Sequence, residues 1–74
     1  MGEHVIVLRD IRPVDIHGSK LLDLVYYLDG DPDKATHQCR IGPESVVDSP
    51  AVGERYVADF ALRQMTRVRR IAGT

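Results

Sequence analysis

The chain of 74 residues contains one cysteine, one phenylalanine and no tryptophan. A lone thiol, Cys39, excludes an intramolecular disulfide and any multi-cysteine zinc site, two devices that often staple so short a fold. No segment approaches the roughly 20 consecutive apolar residues of a membrane-spanning helix. The start, Met-Gly-Glu-His, lacks the basic and apolar regions of a signal peptide, and Ile6 stands where a myristoylation pattern needs Ser or Thr. With the free thiol, these absences lead to the expectation of a reducing cytoplasm and no membrane partner. Gly-rich phosphate loops, HExxH and GxSxG are also missing, so neither an enzyme nor a cofactor is expected.

What is present suits one small folded domain covering residues 1–74. Hydrophobic residues make up 43% and charged residues 28%, the balance of a globular chain rather than a disordered one. A chain this short buries only about 60% of the surface it exposes when unfolded, so its core is marginal. Association with a second copy or another protein is the support left open to it. Charge is divided along the length: residues 1–54 carry ten acids and five bases, whereas residues 55–74 carry five arginines and only Asp59. The net charge of −1 thus conceals an acidic body and a basic end, which would attract each other within or between molecules.

Val5 to Ile16 reads as a first strand, rich in β-branched residues, that bends or ends at Pro13. His17-Gly18-Ser19 is a turn. Leu21 to Leu28 is a second strand with Leu22, Leu24, Tyr26 and Leu28 on one face, and Leu21, Val25 and Tyr27 make its other face semi-apolar. Asp29-Gly30-Asp31-Pro32-Asp33 is the clearest turn. Lys34 to Ile41 follows as a third strand, with Ala35, His37, Cys39 and Ile41 on one side. Residues 42–53 read as a loop.

The last twenty residues admit two readings. As a helix, Val57, Ala61, Met65, Val68 and Ala72 form an apolar stripe, but Gly53 would weaken it by about 1 kcal/mol and Phe60 would lie off centre. As strands, Tyr56, Ala58, Phe60 and Leu62 share one face and Met65 to Ile71 forms a last strand. A marginal core can ill spare its only Phe, which favours strands. The expected fold is therefore mainly β: a small five-stranded, partly closed barrel of SH3-like or OB type. The alternative is α+β, a three-stranded antiparallel meander with a C-terminal amphipathic helix over about residues 54–71.

Candidate chemistry is sparse. Asp29, Asp31 and Asp33 have the spacing that opens a calcium loop, but Lys34 and Arg40 stand where glycine and glutamate would be needed, so an acidic turn is favoured. His37 and Cys39, two apart on one strand face, are half of a soft-metal site without a second half. Arg63, Arg67, Arg69 and Arg70 form the one dense basic cluster, able to meet carboxylates or phosphates. Tyr26, Tyr27 and Tyr56 are the candidate stacking or apolar surface. The leading expectation is a non-catalytic interaction module that self-associates through its acidic body and Arg-rich segment. A nucleic-acid-binding barrel using the same arginines comes second, and a metal or thiol site at His37 and Cys39 is a distant third.

Overall fold

The computed structural model describes residues 2–71. Five antiparallel strands form one sheet: β1 (Gly2–Ile16), β2 (Ser19–Leu28), β3 (Thr36–Ile41), β4 (Arg55–Ala61) and β5 (Gln64–Arg69). Their order across the sheet is β3-β2-β1-β4-β5. The described residues contain no α-helix, only a single 3-10 turn at Pro43–Ser45. The helical alternative for residues 54–71 is thereby overturned, since β4 and β5 occupy that segment (Ala72 of the supposed stripe lies outside the described residues). Gly53, awkward in a helix, has φ of +90° in the turn that leads into β4.

β1 is the hub, because it pairs with β4 through Gly2–Val7 and with β2 through Ile6–Ile16. At Arg9 the register with β2 slips by one residue. A bulge of this kind bends a strand, and it falls just beyond the residues that β4 covers. Pro13 does not end β1 as expected: it sits opposite Leu22 in an unbroken ladder. Beyond Val7, β1 has no β4 partner. The proline therefore lies on an edge, where a missing N–H breaks no ladder.

The sheet curls around its core. Ile6, Leu8, Leu24, Tyr26, Ile41, Val46, Tyr56, Ala58, Met65 and Val68 are buried together, with Phe60, Leu28 and Cys39 packed against them. These are the alternate residues of each strand, the face expected from a period of two. Each fully buried aliphatic side chain, such as Ile6, Leu8 or Leu24, contributes about 1.5–3 kcal/mol. Val46, in a segment expected to be only loop, is a core residue and bridges to Val68 in parallel. Tyr56 fills the core at 2% exposure, its hydroxyl accepting the Ala51 N–H at 2.9 Å.

The curl brings Cα atoms of β3 and β5 within 8 Å of each other. Yet β3 pairs only with β2, and β5 with β4 and the Val46 bridge, so the sheet is not closed. An open seam runs between β3 and β5. Cys39 Sγ and Met65 Sδ meet across it at 3.7 Å.

Candidate binding groove at the open seam

At the end of the seam where β3 begins and β4 meets β5, four rings from four strands adjoin. Tyr26 on β2 lies opposite His37 on β3, and the phenol and imidazole stack at 5.4 Å. Phe60 on β4 lies 6.4 Å from Tyr26, and His4 on β1 meets Phe60 edge-on at 5.5 Å. The register explains this: His4 pairs with Ala58 and Gly2 with Phe60, so both rings stand on the core-facing side of the sheet. Tyr26 and Phe60 are the floor, while the exposed His4 and His37 are the rims.

These rings, with Leu28 and Arg63, line a groove of about 220 Å³. A second depression of about 330 Å³ shares Tyr26 and Arg63 and adds Cys39, Arg40, Gln64 and Met65. No carboxylate lines either one, although the chain has eleven acids. Arg40 is held by Asp23 through two hydrogen bonds of 2.7 and 3.1 Å, which lower the Asp23 carboxyl below its ordinary value of 3.8. Arg63 has no ion-pair partner among the described residues. The uncompensated charge in the groove is thus positive. A broader depression of about 340 Å³ lies between residues 13–15, residues 20–22 and Pro43. It is mostly apolar, with Asp15 set against Lys20, and offers neither rings nor net charge.

Arg63 reaches the groove from the β4–β5 turn, where Leu62 and Arg63 have φ of 53° and 66°. Leu62 was expected to share the Tyr56 face, but it is a turn residue and 89% exposed. Two consecutive positive φ values are what a tight two-residue hairpin demands, and non-glycine residues meet that demand at a cost.

Arg63 stands apart from the other three arginines of the segment: Arg67, Arg69 and Arg70 border a separate depression of about 250 Å³ with Glu44, Ser45 and Val47. Arg69 lies on the outer face, where Asp59 grips it through two 3.1 Å hydrogen bonds and Glu3 adds a third. Arg70 donates to the Asp48 carbonyl at 3.1 Å. Arg67, opposite Asp59, makes no ion pair among the described residues and is exposed. Only Arg63 faces the groove. The tyrosines separate in the same way. Tyr26 borders the groove but is only 7% exposed, Tyr27 lies on the outer face with the Lys34 ammonium 5.9 Å from its ring, and Tyr56 is buried at 2%, so burial corrects the expectation of a surface ring at Tyr56 and limits it at Tyr26.

Among the described residues no three His, Cys, Asp or Glu side chains converge on a metal position. His37 spends one ring face on Tyr26, Cys39 turns to Met65, and His4 and His17 lie at opposite ends of β1. Burial, aided by Asp23, pushes the Cys39 thiol up, away from the thiolate that metal binding or nucleophilic attack needs. The acidic turn is satisfied internally: Asp31 accepts the N–H groups of Asp33 and Ala35 at 3.0 and 3.2 Å. His4, Leu28 and Phe60 were missed as site residues. Each has the core-facing parity of its strand, but only the strand order makes them neighbours.

Comparison with family models, curated proteins and solved structures finds no match to this chain. The functional argument therefore rests on the groove itself. No helix among the described residues is long and apolar enough to cross a membrane.

Proposed function

We propose that this chain is a non-catalytic binding module, a partly closed barrel of OB type whose seam groove takes a segment of single-stranded nucleic acid. One observation carries the reading: in a chain of eleven acids, the groove sets His4, His37 and Phe60 over the largely buried Tyr26, beside an arginine with no ion pair among the described residues and with no carboxylate. Rings offer stacking surface to bases, worth about 1–3 kcal/mol each, and a guanidinium offers paired donors to phosphate. OB folds use their second and third strands and the 4–5 loop for oligonucleotides, and here β2, β3 and the Leu62–Arg63 turn border the groove. That likeness is one of fold and adds support only. The raised Cys39 thiol argues against a nucleophile, and a free thiol suits a reducing cytoplasm.

Fluorescence anisotropy with a labelled oligonucleotide of about ten nucleotides tests the reading. Wild-type protein should bind with an affinity that falls as salt rises. Arg63→Glu should weaken binding and lower the salt slope by about one. No binding at low salt would remove nucleic acid as the ligand.

Self-association is the second reading, favoured by the outer edge of β3, which pairs with no strand among the described residues. Such an edge can take a strand from a second copy. The original basis, arginines docking on a neighbour's acids, is weakened because Arg69 already holds Asp59 and Glu3 of its own chain. Light scattering at low and high salt separates the two readings, since only association predicts a mass above the monomer.

A further inference from the structure

Resting on the nucleic-acid reading, we propose that the β4–β5 turn is a gripping tip. In it Arg63 holds a backbone phosphate over the groove and Leu62 covers the outer face of the adjacent base. Leu62 adopts φ of 53° and is 89% exposed. A bulky residue in the left-handed region is an outlier, and such outliers persist where something other than local comfort requires them. Among the described residues no core contact or ion pair does. Leu62 is absent from the core and its packing shell, and Arg63 has no ion pair among the described residues.

The molecule also shows a turn with two positive φ values made at lower cost. The β1–β2 turn, with φ of 51° at His17 and 83° at Gly18, ends in glycine. A marginal fold that places Leu-Arg at the equivalent turn holds two side chains at a position where they help the fold least. The position is right for a ligand. Arg63 borders both depressions of the seam, so a strand lying across Tyr26 and Phe60 would run beneath the tip. An exposed apolar side chain beside a base face is a recurrent way to hold unstacked nucleotides.

The test is the double variant Leu62→Asn/Arg63→Gly, which installs the residues a tight hairpin prefers. It should melt about 4–8 °C higher than wild type. The same labelled oligonucleotide should bind it at least tenfold more weakly. A companion variant, His37→Ala, should weaken binding without the gain in Tm. If His37→Ala weakens binding and the double variant binds like wild type, the groove stands and the tip is overturned. A lower Tm in the double variant would likewise overturn it, because the turn would then carry no strain. If wild-type protein binds no oligonucleotide, the nucleic-acid reading falls and takes the tip with it.

Discussion

The two tight hairpins of this sheet have the same backbone shape and opposite chemistry. One turn is His17-Gly18, closed by Ile16 and Ser19, and its Gly18 N–H donates to the Asp15 carboxylate at 3.1 Å. The other is Leu62-Arg63, closed by Ala61 and Gln64. All four turn residues have positive φ. Histidine tolerates that region better than most residues, and glycine occupies it freely. Leucine and arginine do not, and each incurs about 1–2 kcal/mol. In a domain whose total stability is about 5 kcal/mol, such a difference is large. The first turn serves the fold, while the second is tolerated by it. Only the second stands beside a groove of rings.

The largest effect expected from this contrast comes from moving the unfavourable turn to the favourable site. His17→Leu with Gly18→Arg should lower stability by about 1–2 kcal/mol, chiefly through the lost glycine. A fall in Tm of about 4–8 °C per kcal/mol makes this easy to read in a thermal melt. Oligonucleotide binding should be unchanged, because this turn lies at the opposite end of β1 from the seam groove. An unchanged Tm would mean that side chains in this region are costless here, and the contrast between the turns would lose its energetic content.

The same contrast explains what was legible in the sequence. His17-Gly18 and Asp29-Gly30 announce themselves because their residues are turn formers. Leu24, Tyr26, Tyr56 and Ala58 were legible through their alternation. Leu62 continues that alternation and is not a turn former, so the period of two ran straight through the real turn. Pro13 misled for a related reason: whether a proline ends a strand depends on whether a neighbour covers it, and β4 stops short at Val7. The groove was the least legible feature. His4 and Phe60 become neighbours only through the β1–β4 pairing, and no local pattern encodes that. The arginine cluster was legible in part: Arg67, Arg69 and Arg70 border one depression, whereas Arg63 faces the groove. Arg67 and Arg69, two apart, share the outer face on either side of the buried Val68, but only the strand order lets Arg69 find Glu3 at a separation of 66 residues.

A middle-sized effect should separate two arginines of β5. Arg69 is 37% exposed and held by both Asp59 and Glu3, whereas Arg67 makes no ion pair among the described residues. Arg69→Ala should cost about 0.5–1 kcal/mol at low salt and less at high salt, as screening weakens exposed pairs. Arg67→Ala should change stability by less than about 0.5 kcal/mol. The pairing ties the β4–β5 hairpin to β1, so its loss should act on the half of the sheet that carries the strained turn. Equal losses from the two substitutions at both salt concentrations would show that the Arg69 contacts carry no weight.

The smallest effect concerns the other half, where Arg40 on β3 clasps Asp23 on β2. The hydrogen bond to Arg40 is the main cause that lowers the Asp23 carboxyl, with the charge of Arg12 adding a little and partial desolvation opposing it. A carboxylate whose pKa is lower when folded adds stability that is fully present above its unfolded value, near 3.8, and is lost as pH falls through the folded value. The contribution is small because water screens the pair, so a titration is a better probe than a melt. Followed by NMR, the Asp23 carboxyl should titrate below 3.8 in the wild type and move back toward 3.8 in Arg40→Ala. The double variant at Leu62 and Arg63 should leave this midpoint where it was, because β2 and β3 are held together without help from the β4–β5 turn. A midpoint unmoved by Arg40→Ala would mean that the clasp does not form in solution. A midpoint that shifts with the turn variant would mean that the two halves of the sheet are coupled across the seam, and the division between a hairpin that serves the fold and one that serves a ligand would fail.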